Sequence, residues 1–386
     1  MQGRRLSTRF IYFGMASFAV ALNLMSLILP KLADEFHVGL GRLGIVFTAN
    51  FLGYCIMLAL TMLLAGRIPR SRVYLFCGLG MGLSLLAASI SGGIYVFYLV
   101  TACIGGCGAI VESLGGAVLK DLNPERPNSV LNIFQVFFAL GAMAGPLITG
   151  FLIERGVSWR WLYICNGLFA LAVFLPMLGM RFSRVEEAPF SRAGLLLVLR
   201  DRWFLGMIAI MAIYVGAEVG VWGWLSTFTQ KDLHFTPLRS SVALALFWFS
   251  MMIGRAVCSK IPPHVPLNLV LLVLFTLGSI ATGLIWLFIT PVSIWLLIFL
   301  VGMGFSGIFG IVLAYGSMKY PEHATMVFNL LFIGCALGGM LIPAMVGFIS
   351  ERTDFRGGLL FLACVQVLAV AIVIMLGRSK ERPAYV

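Results

Sequence analysis

The chain reads as twelve long apolar runs separated by short polar turns. The runs fall at 9–30, 43–66, 73–91, 95–119, 129–153, 158–181, 203–229, 239–260, 267–289, 291–318, 324–350 and 356–377. Each is close to the length, about 20 residues, that a helix needs to cross a bilayer. None shows the alternating ten-residue pattern of a membrane barrel strand. The expected fold class is therefore an all-α membrane protein with 12 transmembrane helices. The first run, 9–30, reads as a retained span and not as a cleaved signal peptide.

The polar exceptions inside the runs carry the chemistry. Only two of the 15 acidic residues, Glu112 and Glu218, stand within apolar runs, while all 27 Lys/Arg and the four His stand in turns or at run ends. A carboxylate in hydrocarbon costs at least a few kcal/mol and survives by facing a cavity, a partner or a solute. A carboxyl so placed can load a proton from one side and release it on the other. Glu112 and Glu218 are thus the candidate proton-coupling residues.

The basic residues orient the chain. Counting turns alternately, 19 of the 27 Lys/Arg fall on the side of the two termini. By the positive-inside rule both termini are cytoplasmic, in a bacterial-type inner membrane. The same rule accounts for the net charge of +12. The basic residues form no stripe, so no nucleic-acid partner is expected. A charged content of 11% against 61% hydrophobic, with a mean hydropathy of +1.02, excludes a soluble domain. The eight cysteines lie singly in apolar runs, Cys103 and Cys107 sharing a face as small packing residues. No disulfide, metal site or cofactor is expected.

The longest turn, 182–202, is charged, contains Pro189, and divides the chain into six-helix halves at 1–181 and 203–386. An internal repeat supports the division. Lys120-Asp-Leu-Asn-Pro124-Glu125-Arg126 returns as Lys319-Tyr-Pro321-Glu322-His323, with the Pro-Glu pairs 197 residues apart. Gly150-Phe-Leu-Ile-Glu154-Arg155 returns at the same offset as Gly347-Phe-Ile-Ser-Glu351-Arg352. Parallel repeats of this kind build carriers that bind solute near the midplane.

On these features the chain resembles the major facilitator superfamily over essentially its whole length. Gly141-Ala-Met-Ala-Gly145-Pro146 in the fifth run resembles a family signature, and Gly66-Arg67-Ile-Pro69-Arg70-Ser-Arg72 resembles the loop after the second helix. The acidic residue usual in that loop is replaced by Gly66, which implies a differently built cytoplasmic latch. The segment Tyr214-Val-Gly216-Ala217-Glu218-Val-Gly220-Val-Trp222-Gly223-Trp224 is similar to the seventh helix of the fucose:proton symporter branch and its sodium-dependent glucose transporter-like relatives. That likeness implies a symporter for a sugar. It also implies a first-helix acid, where this chain has Asn23 or Ser26.

The residues themselves fit a polyhydroxylated solute. Glu218 can accept hydrogen bonds from hydroxyls, and Trp222, one turn on, can stack on a sugar ring. Trp222 and Trp224 read equally as interfacial belt residues. Asn23, Asn132, Gln135, Tyr315 and Asn329 are the further candidate solute contacts, each alternatively a helix–helix hydrogen bond. Gly302-Met-Gly304-Phe-Ser306-Gly307 lacks the Lys-Ser/Thr of a phosphate loop, and no buried nucleophile–base set marks an enzyme. The expected function is proton-coupled uptake of a sugar or sugar-like solute. The alternatives are sodium coupling, or efflux of an amphipathic compound through an interior rich in phenylalanine. A membrane sensor is disfavoured because no long soluble segment interrupts the runs.

Overall fold

The structure is a computed structural model that describes residues 2–180, 192–262, 265–288, 290–320 and 324–378. Among these the regular elements are helical. They are α1 (Gln2–Phe36), α2 (Leu40–Leu63), α3 (Arg70–Ser89), α4 (Ile94–Leu122), α5 (Pro127–Glu154), α6 (Trp159–Phe174) and α7 (Arg192–Arg200). There follow α8 (Arg202–Asp232), α9 (Pro237–Cys258), α10 (Leu267–Phe288), α11 (Ser293–Phe305), α12 (Ile308–Lys319), α13 (Ala324–Arg352) and α14 (Phe355–Gly377). Twelve stretches are long and apolar enough to cross a membrane, with α11 and α12 sharing one of them. The chain is therefore a multi-pass, all-helical membrane protein, as the run pattern predicts.

Local departures have local causes. Helix α1 continues to Phe36, past the predicted end at 30, with Pro30 inside it. Helix α6 gives way to a 3₁₀ turn over Leu175–Gly179, where Pro176 removes a backbone donor. The tenth run, expected to be continuous, breaks at Ser306–Gly307. Residues 181–191, most of the expected linker, and the Pro321-Glu322-His323 copy lie outside the described residues. Gly66 sits at φ +78°, a left-handed conformation in which an acidic side chain is strained. Arg70 of the same loop finds its carboxylate on Asp121 instead, with Nε 2.6 Å from Oδ2.

Packing divides the chain into two compact units. One comprises Met1–Val38, Ala49–Phe190 and Thr236–Ala245, and the other Gly39–Thr48, Ser191–Phe235 and Leu246–Val386. In the first, α1 lies on α5, and α3 lies on α4 and α6. In the second, α8 lies on α13, and α10 lies on α14 and α11. The α8–α13 pair approaches backbone to backbone. A Cβ on Gly338 would stand 1.7 Å from the Ala212 carbonyl oxygen, and one on Gly216 would stand 2.7 Å from that of Gly338.

Asp201 starts α8. It accepts from the Trp203 amide at 2.9 Å, pairs with Lys319, and takes a hydrogen bond from the Tyr320 hydroxyl. Burial pushes its carboxyl up, but the bonds from Lys319, Tyr320 and Trp203 outweigh that and hold it below the usual aspartate range. A lowered carboxyl stabilises the fold above its ordinary value of 3.8, and the contribution fades as pH falls through the lowered one. Asp201→Asn is therefore expected to lower the thermal midpoint at pH 7. The gap from the unsubstituted protein should narrow as the pH drops below 3.8. A gap that stays constant with pH would remove the electrostatic account.

Candidate functional site

Helix α8 is buried along most of its length, so its one mid-span charge has to be met by protein groups. Glu218 is 8% exposed and Tyr214, one turn earlier, is 1% exposed. The Tyr214 hydroxyl is hydrogen-bonded to the Glu218 carboxyl. The guanidinium of Arg255 on α9 lies close enough to act electrostatically on the same hydroxyl. Arg255 also donates from Nε to the Ser306 carbonyl at 3.3 Å, and its Nη2 rests 4.0 Å from the Met251 sulfur. Ser306 is where α11 ends, and a helix end leaves carbonyls without intrahelical donors. Arg255 thus bonds the break in the tenth span and acts on the Tyr214 hydroxyl through its charge.

Arg255, which the sequence places at a run end, stands half-buried in the last turn of α9, three residues before Cys258. The signal was present: Met251-Met-Ile-Gly254-Arg255-Ala-Val-Cys258 is apolar on both sides of the arginine. A cation so placed needs a partner as much as a carboxylate does.

Glu112 repeats the tyrosine–carboxyl theme in the first unit. It is half-buried on α4 and accepts from the Tyr54 hydroxyl of α2 at 2.9 Å. The two tyrosines were not singled out from sequence. Tyr214 could have been, since four residues separate it from Glu218 on one helix face.

The other candidates fall in varied surroundings. Trp222 is 1% exposed, edge-on to Phe47 at 6.1 Å and tilted against Trp248 at 6.2 Å. Trp224 is also buried, donating from Nε1 to the Pro343 carbonyl at 2.9 Å. Both indoles therefore lie inside the second unit. Asn23 is buried and donates from Nδ2 to the Ala19 carbonyl of its own helix at 2.9 Å. Asn132 and Gln135 are exposed on α5, and Asn329 is half-buried on α13. Tyr315 is fully buried, donates to Asn268 Oδ1 at 3.2 Å and meets the edge of Trp203 at 5.9 Å. Trp203 precedes Tyr214 by about 16 Å of helix axis, so Tyr315 stands apart from Glu218.

Among the described residues no group of three or more His, Cys, Asp or Glu could hold a metal ion. All eight cysteines are free thiols. The thiols that meet are Cys77 and Cys107, joining α3 to α4, while Cys103 is exposed.

Similar proteins bear on the family and the fold. The family described as Major Facilitator Superfamily matches residues 11–343. Protein TsgA of Salmonella paratyphi B is 26% identical over 341 residues, 86% of this chain and 85% of TsgA. A bacterial homologue of the human lysosomal transporter Spinster, in an inward-facing and unoccupied conformation, superposes with a TM-score of 0.81 at 14% identity. That match covers 99% of both chains. The nucleoside transporter NupG superposes with a TM-score of 0.77 at 14% identity, covering 98% of this chain and all of NupG. At such identities the structures speak for the fold alone. The matched span, the twelve membrane-crossing stretches and these superpositions lead to one conclusion: the chain belongs to the Major Facilitator Superfamily and is a secondary transporter of a small-molecule solute, not an enzyme.

Proposed function

We propose that this transporter takes up a sugar or sugar-like solute together with protons, by rocking of the halves 1–181 and 203–386 about a midplane site. The carrying observation is the buried Glu218–Tyr214 hydrogen bond with Arg255 beside it. A buried carboxyl bonded to a tyrosine hydroxyl can be satisfied in either protonation state, because the hydroxyl can donate to the charged form or accept from the neutral one. That is the property a proton-carrying group needs. Glu112, which accepts from the Tyr54 hydroxyl, supplies a second tyrosine-bonded carboxyl. We assign the solute contacts to Glu218 and Trp222, with Asn23, Asn132, Gln135 and Asn329 as the further candidates for bonding hydroxyls. The basic turns support cytoplasmic termini, and the bacterial relatives support an inner-membrane location.

The test is counterflow with purified protein in liposomes. The panel is hexoses, deoxyhexoses, amino sugars and nucleosides, the last because the fold is shared with NupG. Exchange of one of these supports the reading. No exchange by folded protein across the panel rejects it and favours export of an amphipathic compound. The aromatic enclosure of Trp222 by Phe47 and Trp248 is the observation behind that second reading.

A further inference from the structure

The repeat at an offset of 197 runs further than its Pro-Glu and Gly-Phe motifs. Along α5 and α13 it also pairs Asn132 with Asn329, Gly141 with Gly338, Met143 with Met340 and Pro146 with Pro343. It pairs His37 with His234 and Arg42 with Arg239 as well, in the turns and helix starts that lead into α2 and α9. The geometry follows. His37 and His234 hold φ of +50° and +53°, and they are the only non-glycine residues with positive φ among those described.

Both turns deliver a helix start to a glutamate. In the first unit, Glu154 at the end of α5 accepts from the Leu238 amide of α9 at 2.9 Å. In the second unit, Glu351 near the end of α13 accepts from the Gly41 amide of α2 at 2.6 Å. Leu238 and Gly41 are repeat equivalents, as are the two glutamates. Each amide is the second of its helix, among the four that lack an intrahelical acceptor. One turn before each glutamate a glycine lets the backbones meet. A Cβ on Gly150 would stand 2.8 Å from the Pro237 carbonyl oxygen, and one on Gly347 would stand 2.6 Å from that of Leu40. Pro237 and Leu40 are again equivalents. Each unit therefore contains a ten-residue helix start, 236–245 or 39–48, that belongs by sequence to the other repeat, fastened by one carboxylate and one glycine.

We propose that Glu154 and Glu351 are a matched pair of positioning residues, and that both caps must release when the carrier changes the face it opens. By span parity the ends of α5 and α13 and the starts of α2 and α9 lie on the face away from the termini. Motion of one repeat against the other pulls 236–245 off α5 and 39–48 off α13. A carboxylate on a helix start suits a contact that forms and parts, because its strength is modest and falls away within one turn. The inference rests on the alternating-access reading above.

The test is hydrogen exchange read by mass spectrometry on the full chain in nanodiscs, with no solute added. Glu351→Ala is expected to speed exchange in 39–48 about fivefold and to leave 236–245 within about twofold. Glu154→Ala should do the reverse. Fivefold is the factor implied by the ~1 kcal/mol of a helix cap. Gln at either position keeps an acceptor oxygen and should restore most of the protection. Unchanged exchange at both seams in the Ala variants overturns the proposal, as does a rise spread evenly through the chain. Seam-specific effects in a protein that exchanges no solute in liposomes would leave the caps standing and reject the transport reading alone.

Discussion

Glu218→Gln is expected to collapse proton-driven accumulation of solute to equilibration while leaving counterflow measurable. With one proton per solute and a gradient of two pH units, a coupled carrier accumulates roughly 100-fold, tenfold for each 1.36 kcal/mol. Gln is close in shape to the neutral acid and can keep a hydrogen bond to Tyr214, which already partners Glu218. What it cannot do is take up or give up a proton. The two assays should therefore separate. Accumulation falls from about 100-fold to about one, and exchange, which needs no net proton movement, stays within about tenfold of the parent. Full accumulation by the Gln variant would move coupling to Glu112. Loss of both activities with an intact fold would make Glu218 a solute-binding group first.

The largest structural effect is expected from Gly338→Ala. Alanine favours a helix by about 1 kcal/mol over glycine, so propensity alone predicts stabilisation. The contact predicts the opposite, because the added Cβ would lie 1.7 Å from the Ala212 carbonyl oxygen and 2.5 Å from its carbon. Backbone atoms cannot swing aside as a side-chain tip can, so α8 and α13 have to separate. Overpacking of that kind costs about 3 kcal/mol, and the clash outweighs the propensity by about 2 kcal/mol. A lower thermal midpoint in detergent, with reduced yield of folded protein, is the expected measurement. A midpoint at or above the parent's would mean that the helices are not in backbone contact there. Gly283 has nothing within 4 Å of its added Cβ, so Gly283→Ala serves as the matched control and should be neutral or stabilising.

Much of the fold is legible in the chain because a bilayer leaves few options. Twelve apolar runs become twelve spans, and the carboxylate in the seventh stands out because the three residues on either side of it in sequence are apolar. The break at Ser306–Gly307 is less visible, because Ser and Gly are tolerated inside membrane helices and break one only where neighbours take over the freed carbonyls. Here the neighbour is Arg255, from another helix. Trp222 shows the same limit. Its spacing from Glu218 is readable, but its enclosure by Phe47 depends on residues 39–48 packing within the second unit, which no local pattern reveals. The repeat was readable at Glu154 and Glu351. The amides those carboxylates cap are distant in sequence, and only the fold brings them together.

Phe47 also gives the protein an optical property. It touches both Trp222 and Trp224, and Trp222 touches Trp248. Three indoles thus share one buried neighbourhood whose wall includes a residue of the 39–48 helix start. Departure of that segment exchanges an aromatic ring for a more polar surrounding, and indole emission shifts to longer wavelength in polar surroundings. The carrier holds its own fluorophores at the place where one seam parts, so its working cycle can be followed by intrinsic emission without attaching a dye.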